Sequence, residues 1–432
     1  MEEKRKKIEY DALVVGAGIA GGETALNLAN NGYKVLLVER DHSIGGKMIL
    51  LSKVFPTLDC AACITTPKVS EIARHPNITV FTESEVTSIV KKTESLFIAQ
   101  ITKNPRFVHV EDCTACQLCE QACPVNVRDE YQFGLVGRKA AYIPFSIANP
   151  KAAVIDLEQC TLCGACERAC PTHCIDFTME TDYFELQTKT VVLATGFRLF
   201  DPLKIPRFGY GKYKNVVTSM QMEREIAPTR PYHTILRPGD GKIPDRIAYV
   251  LCAGSRDDSV GNPICSQVCC MYSMKQAQLL MGALPMADIT IYYIDIRSFG
   301  KGFEEFYQQA KDMGVSFVKG KIGKISEKEN GNLMLRYEDI QEGILKEAEH
   351  DMVVLSVGML SNPSVNQIFE GEMLQLDALN FIQQSDLLGS PAKTSIDGVF
   401  VAGTASGPMD IPDSILSAGS ASSEAISYLI QH

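Results

Sequence analysis

The stretch DALVVGAGIAGGETALNLANNGYKVLLVER, Asp11 to Arg40, decides the fold of this chain. Asp11 to Val15 is an apolar run that ends in Gly16, Gly18 and Gly21; Ala25 to Ala29 carries helical spacing; Val35 to Val38 is a second apolar run, closed by Glu39. A G-x-G-x-x-G signature alone is a weak signal. Between a strand and a helix, with an acid 23 residues beyond its first glycine, it marks a dinucleotide site. The glycines let the backbone approach a pyrophosphate at the helix N-terminus, and a carboxylate at Glu39 accepts hydrogen bonds from a ribose.

A chain of 432 residues has room for two or three domains of about 100–200 residues each. Its formal net charge of -10 leaves no basic stripe for a nucleic-acid surface. The one basic run, Lys4 to Lys7, reads as a solvated tail. No stretch approaches about 18 consecutive apolar residues. MEEKRKKIEY has neither the apolar centre of a signal peptide nor the acid-poor character of a transit peptide, so a cytoplasmic protein without membrane insertion is expected. Fifteen cysteines, an odd number grouped at two- and three-residue spacings, do not form the even framework of a secreted disulfide scaffold. They read as metal ligands.

Two later stretches repeat the strand-then-glycine form: KTVVLATGFR at Lys189 to Arg198, and DGVFVAGTASGPMDIPDSILSAGSAS at Asp397 to Ser422. The second leads into a helix whose start is marked by Pro412, Asp413 and Ser414. Together with the first motif, these resemble the two-dinucleotide-domain flavoproteins related to thioredoxin reductase. The resemblance implies FAD along the first motif, with its flavin end met by the last one. Thr404 stands where that broader family usually has an aspartate toward the ribityl chain. The FAD contacts expected on this ground are Gly16, Gly18, Gly21, Glu39, Arg40, Gly46, Lys47, Thr195, Gly196, Gly403, Thr404 and Ile411, with Lys47 beside the flavin.

Arg246 to Asp295 reads as a second strand–helix–strand, with its helix around Met271 to Met281, where these relatives bind a nicotinamide nucleotide. Its turn offers only Gly254, and Cys252, Cys265, Cys269 and Cys270 stand in place of a pyrophosphate seat. Asp351 to Pro363 resembles the strand by which this domain returns to the first.

Cys113, Cys116, Cys119 and Cys123 follow C-x2-C-x2-C-x3-C ahead of Pro124, and Cys160, Cys163, Cys166 and Cys170 repeat the pattern ahead of Pro171. This is the bacterial ferredoxin run, in which the fourth thiolate crosses to the other 4Fe-4S cluster. The expected sets are Cys113, Cys116 and Cys119 with Cys170, and Cys160, Cys163 and Cys166 with Cys123. Zinc fits any single C-x2-C pair, but two complete runs with terminal prolines favour clusters.

A flavin domain with FPTLDCAACITTPK after Gly45 and Gly46, an inserted double ferredoxin module, and CAGSRD followed by CSQVCCMYSMK resembles the A subunit of heterodisulfide reductase and its relatives over essentially the whole chain. That resemblance implies a further 4Fe-4S cluster on Cys252, Cys265, Cys269 and Cys270. For Cys60 and Cys63, cluster ligation, a redox pair and structural thiols all stay open. Cys174 has no set to join and reads as a plain buried residue, and the seven histidines show no ligand spacing.

The expected fold is α/β: two Rossmann-like domains, thioredoxin-reductase-like, with an inserted α+β double-cluster ferredoxin domain. The FAD-binding domain takes 8–105, 181–240 and 366–432, the insert 106–180, and the second Rossmann-like domain 241–365. The resemblance implies an electron-transfer subunit with FAD and three 4Fe-4S clusters, or four if Cys60 and Cys63 help hold one. It implies heterodisulfide reductase B/C-like subunits and ferredoxin or hydrogenase-type donors as partners, a homodimer within a larger complex, and a link to electron bifurcation or confurcation. Two rivals are a self-sufficient thiol oxidoreductase working through Cys60 and Cys63, and a cluster-bearing scaffold that has lost its flavin.

Overall fold

A computed structural model describes residues 5–432. Its contacts divide the chain into two units. The first takes in the chain to Ile49, Ala62–Phe197 and Ser361–His432; the second takes Leu50–Ala61 and Arg198–Leu360.

Short runs that are apolar at every position form the central sheet of the first unit, as expected where a parallel sheet is covered on both faces. Its order is Val399–Val401, Thr190–Leu193, Ala12–Val15, Val35–Val38 and Ile78–Phe81, all parallel. Strand order reverses beside Ala12–Val15, and open α/β sheets bind ligands at the carboxyl ends of the strands at such a point. Those ends run into Gly16, into Thr195 and Gly196, and into Gly403 and Thr404. Helices Ile19–Asn30 and Ile411–Gln431 pack against each other in a core where small residues, among them Ala25, Ala29, Ala418, Ala421 and Ala425, let backbones approach closely.

A second sheet of this unit has the order Lys6–Glu9, Asp182–Thr188, Leu96–Lys103, Ser84–Thr93 and Phe369–Glu370. Lys4 lies outside the described residues, but Lys6 and Lys7 correct the expectation of a solvated tail. They belong to an edge strand parallel to Asp182–Thr188, because Ile8 packs on the core and the lysines pair with Asp182 at 2.6 Å and Glu185 at 3.7 Å.

Lys103 and Asp182 face each other across two antiparallel strands, so residues 104–181 leave and re-enter the sheet at one rung. This segment is the cysteine-rich insert. It holds two five-residue helices, Leu118–Ala122 and Ala165–Ala169, packed together, and two short strand pairs around a small core of Val108, Ala140, Ala153, Ile155 and Ile175.

The second unit is built on a seven-stranded sheet in the order Val216–Thr218, Met352–Val357, Arg246–Ala253, Asp288–Tyr293, Ser316–Glu327, Leu333–Asp339 and Ile344–His350. The first five strands are parallel, and order reverses beside Arg246–Ala253. Sequence patterning keeps the chain in the first domain to 240, whereas contacts hand it over at Arg198. Val216–Thr218 extends the second sheet, and Phe200 and Phe208 join its core. Leu50–Ala61 likewise packs Phe55 and Leu58 on this unit.

Leu50–Ala61 is held by a buried polar network. The Glu223 carboxylate accepts from Ser52 N–H at 2.8 Å, Ser52 Oγ at 2.7 Å and Gln276 Nε2 at 2.6 Å, and it pairs with Lys275, whose ammonium also donates to Lys53 O at 2.9 Å. Arg224 donates to Leu50 O at 3.1 Å. Burial works to raise the Glu223 carboxyl, but the Lys275 charge and these donors outweigh it and hold the group below its ordinary 4.5. The pair's contribution is therefore full above that value and is lost as pH falls through the lower folded pKa. Lys275→Met strands a carboxylate in the core and is expected to destabilise the second unit by about 3–5 kcal/mol. Thermal unfolding checks this, with the Lys275→Met/Glu223→Leu double variant expected to recover part of the loss.

Candidate functional site

The motif glycines divide by the reason each is glycine. Gly16 has φ +99°, and a Cβ on it would lie 2.4 Å from Ala194 O; a Cβ on Gly21 would lie 1.8 Å from Gly16 O. The protein's own packing demands both. Gly18 has φ -73°, open to any residue, and a Cβ there meets only Gly46 Cα, at an ordinary 3.9 Å. Nothing in the chain requires glycine at 18, whereas a pyrophosphate drawn against the backbone does. Gly18 precedes helix Ile19–Asn30 with no side-chain cap, so the first-turn amides face that same space. These residues fit the FAD that the resemblance implies.

Glu39 is buried at the end of Val35–Val38. Its Oε2 accepts from Ala17 N–H at 2.7 Å and its Oε1 from Asp41 N–H at 3.1 Å, so it fixes the glycine loop itself. Burial, then the Asp41 charge, pushes its carboxyl up. Arg40 is exposed and pairs with Asp41 at 3.7 Å. Lys47 is half-buried, with Nζ 4.7 Å from the centroid of the Phe197 ring, and burial with the Arg40 charge lowers its pKa. The neighbouring Gly46, at φ +57°, would put a Cβ 2.7 Å from Gly18 Cα.

The other strand ends meet these residues. Gly16 approaches Thr195; Gly196, at φ +69°, lies against the Thr404 hydroxyl; Gly403, at φ +64°, abuts Ala20 and donates to Ser417 Oγ at 3.0 Å. Ile411 opens its helix after Asp410, whose carboxylate accepts from Asp413 N–H at 2.9 Å. Sequence reasoning passed over Asp410, although an Asp ahead of Ile-Pro-Asp is a cap signal.

The cysteine-rich insert docks on the loop that carries Gly46 and Lys47. Arg106, buried, pairs with Glu83 at 2.9 Å, donates to the His42 carbonyl and reaches Ala152 O at 3.1 Å. Ile44 N–H donates to Asn149 O at 3.0 Å, Asn149 N–H to Ser43 Oγ at 2.8 Å, and the Tyr131 hydroxyl to Ile49 O at 3.3 Å. Arg106 was missed because a lone arginine after a strand carries no sequence signal.

Inside the insert the two cysteine runs share one backbone form. Ala115 and Leu162 have φ +53° and +55°, Gln117 and Gly164 have +65° and +68°, and each run then enters its short helix. The turns bring thiols together across the runs. Cys113, Cys116, Cys119 and Cys170 line one cavity of about 310 Å³ with Cys174, Ile143, Ala153 and Ile175. On the other side, Cys123 and Cys160 act electrostatically on Cys166, whose thiol is raised chiefly by burial. Burial also pushes Cys119 up to about 11. Ala153 N–H donates to Cys113 Sγ at 3.4 Å and Leu162 N–H to Cys160 Sγ at 3.3 Å. Among the described residues, no three His, Cys, Asp or Glu side chains stand close enough to grip a single metal ion. A cluster sets its thiolates farther apart than one ion does. Cys174, read as a residue with no set to join, lies on the cavity wall.

In the second unit, Cys252 sits at the carboxyl end of Arg246–Ala253, beside the reversal of strand order, in a left-handed turn with φ +59° where the pairing shifts register. Helix Cys269–Ala283 starts two residues earlier than the sequence suggested, which puts Cys269 and Cys270 in its first turn. Hydrogen bonds to Cys252 and Cys270 hold the Cys269 thiol protonated well above its ordinary value, and the same bonds lower Cys252 and Cys270. Cys265 is raised by burial and then by the neighbouring Cys252 and Cys270 charges. Four sulfurs thus converge beside Arg256, which is paired with Asp295 and hydrogen-bonds Cys252. The one glycine of this turn, Gly254, is occupied from within: a Cβ on it would lie 2.1 Å from the Phe200 ring. Cys60 is half-buried and Cys63 exposed, at the start of helix Ala61–Arg74.

Residues 10–112 match the pyridine nucleotide-disulphide oxidoreductase family, and residues 112–175 the 4Fe-4S dicluster domain. Thioredoxin reductases from T. acidophilum and Lactococcus lactis share the fold, with TM-scores of 0.56 and 0.55 at 15% and 14% identity. They cover 98% of this chain and 99% and 100% of their own. The class is a thioredoxin-reductase-like flavoprotein fold interrupted by a 4Fe-4S dicluster domain. The chain is 44% identical, over 97% of its length, to the iron-sulfur A subunit, copy 2, of CoB--CoM heterodisulfide reductase from Methanopyrus kandleri. It is 43% identical, over 98%, to the A subunit of the H(2)/formate:CoB-CoM heterodisulfide,ferredoxin reductase from Methanococcus maripaludis. Over the length matched, the chain belongs to the family of heterodisulfide reductase A subunits; it spans 64% and 65% of those two relatives. Among the described residues, no helix is long and apolar enough to cross a membrane.

The division of the glycines predicts a contrast. Gly18→Val is expected to fold with its clusters but to lose nearly all of its FAD. Gly21→Ala, overpacked against Gly16, is expected to lose about 1–3 kcal/mol of stability or more whatever the flavin content. Flavin absorbance and thermal unfolding of the two variants check this, and a full flavin complement in Gly18→Val contradicts the cofactor's placement.

Proposed function

We propose that this chain is the flavin- and cluster-bearing electron-transfer part of a heterodisulfide-reductase-like complex. The observation that carries this is the docking of the dicluster insert on the loop of Gly46 and Lys47, the side of the sheet where Gly18 leaves room for a pyrophosphate. FAD bound there supplies a junction between two-electron and one-electron chemistry, and 4Fe-4S clusters supply one-electron steps. The chain's own residues hold and shield these groups. Gly18 and the first-turn amides seat the pyrophosphate, Glu39 fixes the loop, and Thr404 offers a hydroxyl toward the flavin end. Lys47, its charge disfavoured by burial, is a cation near the flavin.

In this reading Cys113, Cys116, Cys119 and Cys170 hold one cluster, Cys160, Cys163, Cys166 and Cys123 a second, and Cys252, Cys265, Cys269 and Cys270 a third. The cavity shared by thiols of both runs and the convergence of four sulfurs in the second unit support these sets. Partners are then heterodisulfide reductase B/C-like subunits and ferredoxin- or hydrogenase-type donors, in a cytoplasmic complex built on a homodimer. Support for this comes from the relatives' names, which join heterodisulfide and ferredoxin.

The Phe200 ring in the space beside Gly254 speaks against the self-sufficient reductase, since direct hydride delivery needs a pyrophosphate seat in the second unit. Anaerobic iron analysis is expected to give about twelve irons per chain, and Cys269→Ala to lose one cluster while keeping flavin. In stopped-flow mixing, a low-potential ferredoxin should bleach the flavin where NADH or NADPH alone does not. About eight irons or fewer removes the third cluster, and rapid bleaching by a nicotinamide nucleotide restores the reductase.

A further inference from the structure

The cavity of the insert is lined by five thiols, and a 4Fe-4S cluster has four places for them. Cys174 is the surplus. Its side chain is buried, 3% exposed, with Sγ 3.4 Å from Cys170 Sγ. Its main chain is fixed from outside the second run: His109 N–H donates to Cys174 O at 2.8 Å, and Val108 bridges Ile175. Cys170, by contrast, ends the short helix Ala165–Ala169. The two sulfurs are therefore carried by different parts of the module yet meet at one corner of the cage. The other run has no such neighbour, since the residue four beyond Cys123 is Val127.

Resting on the cluster reading above, we propose that Cys174 is a reserve ligand of the cluster held by Cys113, Cys116 and Cys119, and takes the fourth place when Cys170 leaves it. In the exchange the iron–sulfur bond to Cys170 breaks and one to Cys174 forms. The proton of Cys174 passes along the sulfur–sulfur hydrogen bond to Cys170, and no electron is gained or lost. The two clusters of the insert are inequivalent in consequence: one keeps a full ligand set after losing its crossing cysteine, and the other does not.

The test is a Mössbauer count of 4Fe-4S clusters in the full flavin-loaded chain, prepared anaerobically. Cys170→Ala is expected to keep the wild-type number, with a changed EPR signal in the reduced state. Cys170→Ala/Cys174→Ala and Cys123→Ala should each have one cluster fewer. A Cys170→Ala chain that has one fewer, or that does not accumulate as a folded flavoprotein, overturns the proposal. Cys116→Ala separates this failure from failure of the reading beneath it. If Cys116→Ala keeps the full count, no cluster occupies this cage; if it also loses one, the cage stands and only the reserve ligand falls. A second measurement uses Cys174→Ala, which leaves the four expected ligands. It should keep the count and lower the midpoint potential of one cluster, because an S–H donor to a ligand sulfur is gone. An unmoved potential counts against the proposal.

Discussion

The first unit depends on backbone pressed against backbone. Gly21 sits on the carbonyl of Gly16, Gly16 on the carbonyl of Ala194, and Gly46 on Gly18, each at a separation no side chain tolerates. This contact stitches three strand ends and a loop into one surface. Helix Ile19–Asn30 can then start where the sheet stops, with its amides turned toward the same spot. Any residue with a Cβ at Gly16 or Gly21 would push the helix off the sheet. The space beside Gly18 exists only because those two closer contacts are already made.

Much of this was legible in the sequence because it is local. A strand, a glycine turn and a helix within Asp11–Arg40 announce themselves through spacing, and so do two complete ferredoxin runs. What was hidden depends on residues far apart in the chain. Leu50–Ala61 reads like the flank of its own neighbourhood, yet Phe55 and Leu58 belong to the second core and Glu223, Arg224 and Lys275 hold its backbone. The start of the second unit at Arg198 was illegible for the same reason, since a three-residue strand at Val216–Thr218 has no periodicity to display. Cys174 looked unattached because its partner in space, His109, lies before the first run.

The two units answer one problem, how to bind something at the carboxyl end of a parallel sheet, with opposite materials. In the first the main chain does the work, and side chains keep out of its way. In the second the Phe200 ring fills the space at Gly254, and sulfur atoms take the position that amides hold in the first. Cys252 occupies a left-handed turn that ordinarily favours glycine, and a residue with a Cβ accepts that conformation only where the surroundings impose it. Arg256, also left-handed at φ +54° and paired with Asp295, places a cation beside the sulfurs, which suits a group of thiolates carrying net negative charge.

Lys103 and Asp182 are adjacent rungs, so to the host sheet the insert is only a hairpin loop that happens to be long. Loop closure grows slowly with length, by about 0.6 kcal/mol for each doubling, so a passenger of this size costs the host little. The order of assembly follows. Strands Leu96–Lys103 and Asp182–Thr188 can zip while the segment between them is still without iron, and the module is then tethered beside its docking loop before it is loaded. Metal supply and folding of the flavin sheet become separate events, the first free to lag behind the second.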